Sequence, residues 1–506
     1  MDRDEYEGLI RQLEAEAEHN PGSFRNKVLL ISSAAYIALA LMLAVTLLII
    51  YFGISTANGK GHVRQLIYTG LFTLSMIPVY FVVLRMFFLR IDAPGGRELT
   101  RKEAPKLFRV LDKMKKKLKG PPIHRVVIDR EFNAAISQVP RFGLFGGHRN
   151  HLSLGLPYLF GVTPKEMLAT VAHEYGHLCG NHGKFGAWVY RQRRTFAALH
   201  ERVDNGAEGS RVYAAIAAAL NRFWPYYNAY TFVMSRQDEF DADLTATELV
   251  GAGPNASGLI RGNLLGAWIH AEFWPKFYRQ ADAMPEPTFL PFVTMAKAFN
   301  LSFGDWATQN RLTTAWRAKS DLLDTHPCLQ ERVTAIGEKP ALPAPVQLQA
   351  TAAEALLGAF AKDLAIEFDK DWWREQRTRW NSRNQHVTRS KLRLQELSGI
   401  DMTSMPLHDL QEFALLKAEF DSPQAAKPVL EYMLTKPGGP YPKPSFHYGR
   451  ILLAERNDDG LSHLLNAAKA DRNIVDEVAR IGYDYLLANQ NEEAGENWLE
   501  QLREFY

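Results

Sequence analysis

His173-Glu174-Tyr175-Gly176-His177 constrains this chain more tightly than any other stretch. Two histidines four residues apart share one face of a helix, close enough to ligate a single metal ion. A fold that uses them needs a helix here and a further ligand brought in from elsewhere. The helix is well signalled. Thr163-Pro164-Lys165-Glu166 reads as a capping box, with an N-cap threonine, a proline at the first helical position and a glutamate at the third. Met167, Leu168, Val171, Ala172, Tyr175 and Leu178 form an apolar stripe at helical spacing, and Gly180 is a stop. Glu174 would lie beside a metal-bound water, where it can take a proton. His182, past the helix end, reads as a surface or outer histidine.

A third ligand stands downstream. Ser235-Arg236-Gln237-Asp238-Glu239-Phe240-Asp241-Ala242-Asp243 opens a second helical pattern that runs to Gly251, and Glu239 and Asp243 share a face. Glu239 completes a two-histidine, one-carboxylate zinc site with the fourth position left to water. Asp243 then hydrogen-bonds the far nitrogen of a ligand histidine. Taken alone, so acidic a segment also fits a solvated helix face. Arg236 reads as structural, paired with one of the nearby acidic residues.

His-Glu-x-x-His followed by Ser-Arg-x-x-Glu-Phe-x-Ala-Asp resembles the HtpX-type membrane zinc metallopeptidases and the related CAAX prenyl endopeptidases. The similarity extends through Phe132-Asn133-Ala134, Arg141-Phe142-Gly143-Leu144-Phe145-Gly146, Leu154-Gly155-Leu156-Pro157, Asn181-His182-Gly183-Lys184-Phe185-Gly186 and Thr325-His326-Pro327 with Arg332. It covers roughly residues 95–340. The resemblance implies that His173, His177 and Glu239 hold one zinc ion and that Glu174 is the general base. It also implies a transition-state role for His326, with Arg332 as its orienting or charge-supplying neighbour, although a histidine before a proline can equally be structural. Residues 123–128 and 151–156 alternate as strands ahead of the zinc helix. In folds of this kind an edge strand pairs with the extended substrate backbone. Asn133 and Ala134 match the family segment at that place, a plain structural hairpin being the alternative.

Residues 28–54 carry no charge, and neither do residues 66–84, between Arg64 and Arg85. Each stretch is long enough to cross a bilayer, and the short spacer makes them a hairpin. The first run is too long, and preceded by too many acids, for a cleaved signal peptide. Basic residues flank the hairpin on its outer sides, so the expectation is two spans with both termini and the active site cytoplasmic. Residues 213–234 are apolar too. A single crossing there would part His177 from Glu239, so residues 186–234 are expected as amphipathic helices on the core or at the interface.

Residues 339–345 form a proline-rich linker, and residues 352–397 read as long charged helices whose Trp372, Trp373 and Trp380 are packing anchors. From about residue 405 a repeat appears. Leu452-Leu453-Ala454 recurs as Leu486-Leu487-Ala488, and Leu464-Leu465 as Trp498-Leu499, each 34 residues on, the tetratricopeptide period. Such a stack offers a groove for a substrate, an adaptor or a second copy. A net charge of +3 implies no nucleic-acid partner. Two cysteines, Cys179 and Cys328, imply a reducing compartment. They read as two small buried residues, the alternative being that they approach each other near the cleft and make activity oxidant-sensitive.

The expected fold is mainly α with a small β-sheet (α+β). Residues 1–27 form a cytoplasmic N-terminal segment and 28–90 the two-helix transmembrane hairpin. Residues 91–338 form a zincin-like (gluzincin) metallopeptidase domain, 339–404 a linker with long helices, and 405–506 tetratricopeptide-like repeats. The expected activity is a membrane-anchored zinc endopeptidase acting on protein or peptide substrates in membrane-protein quality control. Two alternatives stand beside it. One is an inactive or gated scaffold whose repeats bind partners, the other a regulatory protease with a single client.

Overall fold

A computed structural model describes the chain apart from residues 1–2, 56–62, 65, 75–76, 78–91, 142–146, 180–187, 190–192, 194–210, 321–325, 344–347 and 506. It falls into two compact units. The first comprises residues 1–277 and 289–374, the second residues 278–288 and 375–506.

The first unit opens with α1 (Arg3–His19) and α2 (Pro21–Ser55), followed by β1 (Arg97–Glu98), α3 (Pro105–Leu118), β2 (Arg125–Asp129), β3 (Ala134–Pro140) and β4 (His148–Gly155). Helices α4 (Leu156–Gly161), α5 (Pro164–Cys179), α6 (Arg211–Val250) and α7 (Ala252–Trp268) come next, with a π turn leading into α8 (Trp274–Tyr278). Helices α9 (Pro291–Trp306), α10 (Gln309–Arg317), α11 (Leu329–Ala335), α12 (Ala352–Leu356) and the first part of α13 (Phe360–Ser398) complete it. The sheet order is β1-β2-β4-β3, with β2 and β4 parallel and the other pairs antiparallel, so β3 stands at an edge. The α+β reading therefore holds. The strands extend beyond the two expected from alternation, because Ala-Ala-Ile-Ser-Gln-Val-Pro in β3 has no clean apolar–polar period.

The capping box of α5 forms as its residues require. Glu166 N–H donates to Thr163 Oγ1 at 3.2 Å and Thr163 N–H to Glu166 Oε2 at 2.8 Å. Glu166 also accepts both contacts of Arg261 Nε on α7, at 3.0 Å each, in a pair that is almost fully buried. This ties the start of the histidine helix to its neighbour. Replacing Arg261 by Met leaves a buried carboxylate short of its cation and is expected to cost about 3–5 kcal/mol in chemical unfolding. A loss under about 1 kcal/mol would show that the pair contributes little.

One expectation is corrected by α6. Ser235 does not open a helix; it lies inside one that starts at Arg211 and passes through Pro225 without ending. Tyr227, Ala229, Phe232, Val233 and Met234 are buried, the last four against Ile10, Leu13, Ala17, Phe24 and Val28 of α1 and α2, and tertiary packing therefore sustains the helix through the proline. The amphipathic pieces expected over residues 186–210 lie largely outside the described residues.

Residues 21–55 are helical throughout. Beyond Val28 the helix turns many large apolar side chains outward: Leu30, Leu41, Leu47, Leu48, Tyr51 and Phe52 are 60–68% exposed. Among the described residues, no helix is long and apolar enough to cross a membrane. Residues 75–76 and 78–84, in the second half of the expected second span, lie outside them.

The second unit is built of helix pairs: α14 (Leu407–Phe420) with α15 (Pro423–Leu434), α16 (Pro442–Ala454) with α17 (Asp459–Ala470), and α18 (Val475–Asn489) with α19 (Glu492–Leu502). Leu452 and Leu486 are buried at corresponding places, as are Leu464 and Trp498. Helix α18 approaches α19 so closely at Gly482 that a Cβ there would lie 2.2 Å from the Trp498 indole nitrogen. Of the anchors expected in α13, Trp372 and Trp380 are buried, the latter donating to the Met284 carbonyl at 3.0 Å.

Candidate metal centre

Helices α5 and α6 pack side by side, and Gly176 sets how closely. A Cβ on Gly176 would stand 3.2 Å from Ala242 Cα and 3.3 Å from Thr245 Cβ, tighter than side-chain carbons ordinarily pack. Its place between the two histidines lets the backbone of α6 come near, and with it Glu239. The spacing of the histidines alone does not reveal the role of this glycine.

His173 and His177 stand with ring centroids 4.9 Å apart. His173 Nε2 lies 3.4 Å from Glu239 Oε2, and His177 Nε2 lies 3.3 Å from Glu239 Oε1. One ligand atom from each residue falls within 4.8 Å of the others. Glu239 is 6% exposed, and its Oε2 is buried without a hydrogen-bond partner. A buried carboxylate oxygen left in that condition is costly unless a cation completes it. Two imidazoles and one carboxylate are also the donor set that zinc takes when it keeps a position open. The residues therefore fit zinc.

Asp243 and Arg332 stand behind these three residues. Asp243 Oδ1 lies 2.9 Å from His173 Nδ1, which leaves Nε2 facing Glu239. Arg332 on α11 grips Asp243 with two hydrogen bonds, Nε to Oδ2 at 2.8 Å and Nη2 to Oδ1 at 2.7 Å. Burial would raise the Asp243 carboxyl, but Arg332 and His173 outweigh it and hold it below the ordinary carboxylate range. Glu239 is lowered in the same way by the two imidazoles, against burial. Burial and the Arg332 guanidinium press His173 toward neutrality, yet its hydrogen bond to Asp243 and the facing Glu239 carboxylate prevail and bring it up to about 9.

That balance has a measurable consequence. A ligating imidazole must be unprotonated, so zinc entering at pH 7 displaces the proton that His173 holds below about 9. Zinc affinity should rise about tenfold per pH unit between pH 7 and 9, with release of about one proton per ion. Titration calorimetry in buffers of different ionisation enthalpy reads that proton directly. A pH-independent affinity would contradict it.

Glu174 points from α5 toward the sheet edge, where Ile136 N–H on β3 donates to its Oε2 at 3.2 Å. Ala134 opens β3 opposite Leu154, and Asn133 precedes it with its side-chain oxygen on the Ala134 N–H at 2.8 Å. His326, 59% exposed, brings its Nε2 to 3.7 Å from Glu239 Oε1. His182 lies outside the described residues. Arg236 does not pair with its acidic neighbours in sequence. It donates to Glu331 on α11 at 2.8 Å and approaches Glu14 on α1 at 3.7 Å. Both cysteines are free thiols in different surroundings. Cys179 lies against Gly120 and Tyr175, burial pushing its thiol up to about 12, while Cys328 opens α11 beside Ser320 and Glu331. A thiol held as Cys179 is held is a poor nucleophile.

Residues 109–339 match the model of Peptidase family M48. No curated protein and no solved structure matches the chain. The matched span contains both histidines, Glu174, Glu239, His326 and Arg332, and it bears out the resemblance to the HtpX-type enzymes and the CAAX endopeptidases. Residues 109–339 therefore form a domain of the peptidase family M48 type, a zinc-dependent metalloendopeptidase.

Proposed function

We propose that the chain is a membrane-anchored endopeptidase that hydrolyses exposed or misfolded segments of protein substrates, with Glu174 as general base. The observation that carries this reading is the Glu174 carboxylate, held by the Ile136 amide next to the His173–His177–Glu239 cluster. Zinc, held by those three residues, would polarise the scissile carbonyl and acidify a water. Glu174 takes the proton from the attacking water and passes it to the leaving amide nitrogen. His326 donates to the developing oxyanion, a task its exposed position beside Glu239 suits. Asp243 and Arg332 keep His173 in the tautomer that presents Nε2. The edge strand β3, entered through Asn133 and Ala134, pairs with the extended substrate backbone.

Anchoring rests on residues 28–54 and 66–84, which carry no charge, and on the outward-facing apolar side chains of α2. Two spans with both termini and the active site on the cytoplasmic side follow from the basic residues outside the hairpin. The helix pairs of the second unit, with buried residues recurring 34 apart, are read as tetratricopeptide-like repeats that take a protein partner or a second copy. Quality control at the membrane is the role that the family resemblance favours.

Full-length protein in detergent or nanodiscs, offered several unrelated unfolded proteins, tests the substrate reading. Cleavage of most of them supports broad endopeptidase action. Cleavage of none, by a zinc-loaded enzyme that cuts a short unstructured peptide, would point to a single client.

A further inference from the structure

Ser320 follows α10 and Cys328 precedes α11, and His326 stands two residues before Cys328, in its place beside Glu239. A single carboxylate oxygen holds both Ser320 and Cys328. Glu331 Oε2 accepts from Ser320 Oγ at 2.6 Å and from the Cys328 N–H at 3.0 Å. Arg236 Nη2 donates to the same oxygen at 2.8 Å.

The placement of these partners is ordered. Arg236, Glu239 and Asp243 follow one another at helical spacing on α6, so they share a face. Glu331 and Arg332 are consecutive on α11, a helix of 7 residues too short to be stable by itself. The two helices are thus clasped twice, with opposite polarity: Arg236 to Glu331, and Asp243 to Arg332. Glu239 lies between the two clasps along α6. The second clasp reaches His173, and the first reaches the backbone that leads from His326 into α11. Arg236 has only a small exposed fraction and also lies over the Phe232 ring at 5.8 Å, so its guanidinium is guided toward Glu331 by surrounding protein.

We propose that Arg236 and Glu331 are positioning residues for catalysis: their ion pair fixes Ser320 and Cys328 so that His326 stays in register with Glu239. The inference rests on the reading of His326 as the oxyanion donor. The contacts of Arg236 and Glu331 described above involve no metal ligand. Weakening the pair therefore leaves zinc bound and acts on turnover through His326.

The test compares wild type, R236Q, H326A and the double variant R236Q/H326A as full-length, zinc-loaded protein on one peptide substrate. R236Q is expected to keep one zinc per chain and an unchanged KM while losing about 10–100-fold in kcat, the scale of a slight misplacement of a catalytic group. R236K, which retains a cation for Glu331, should recover part of the loss. The double variant should be no slower than H326A alone. Losses that multiply in the double variant would overturn the inference, as would loss of zinc from R236Q. If H326A alone turns over like wild type, the reading of His326 fails first and takes this inference with it. Should R236Q not fold, E331Q keeps an oxygen for Ser320 and Cys328, removes the charge, and must show the same pattern.

Discussion

Replacing Glu174 by Gln is expected to lower peptide hydrolysis by about 10²–10⁴-fold while zinc content stays at one per chain. Gln keeps the shape and an oxygen for the Ile136 amide, so β3 and α5 should hold their places. What it removes is the ability to accept a proton from water. Because the three ligands are on other residues, metal content is the control that separates lost chemistry from a lost site. A Glu174→Gln enzyme with near wild-type turnover would assign the base elsewhere. Loss of zinc from that variant would mean that Glu174 supports the metal centre as well.

The second large effect is expected at Glu239. Glu239→Ala removes the only carboxylate of the donor set and leaves two imidazoles on α5 with nothing from α6. Zinc affinity should fall by more than the ~10–100-fold that loss of an outer hydrogen-bond partner costs, which is the effect expected for Asp243→Asn. Competition with a chromophoric chelator measures both. If the Glu239→Ala enzyme binds zinc as tightly as the Asp243→Asn enzyme, Glu239 is not a ligand. The same truncation also removes a negative charge that His173 faces, so the apo protein should hold the His173 proton less tightly.

Local chemistry made the centre of this site legible in the chain. The capping box, the His-Glu-x-x-His spacing and the Glu239–Asp243 pair are statements about one helix each, and helical periodicity carries them. Asp243 meets His173 because both lie on faces that the metal already requires to converge. What escaped sequence reading depends on contacts between distant segments. Ser235 resembles a helix start, yet α6 runs through it because α1 buries Phe232 and Val233. Arg236 has acids two and three residues away, yet its partner is Glu331, 95 positions on. The closeness of α5 and α6 at Gly176 had a local signal, a residue without a side chain between two ligands, but its meaning appears only once the facing Ala242 is known. In β3 the strand is held by β4 pairing and by the α5 carboxylate rather than by its own alternation. The segment after the proline-rich linker likewise turns back to the first unit, with the Ala352 N–H donating to the Val162 carbonyl at 2.8 Å. No spacing rule reports such a return.

The most direct test of the central claim is metal-dependent cleavage by the intact protein. Full-length enzyme stripped with a chelator and then titrated with zinc is followed by cleavage of an unfolded protein such as casein. Activity should vanish on stripping and return in proportion to zinc, saturating at one ion per chain. Cleavage that persists in the stripped protein, or that fails to return at full zinc occupancy, would contradict a zinc peptidase centred on His173, His177 and Glu239.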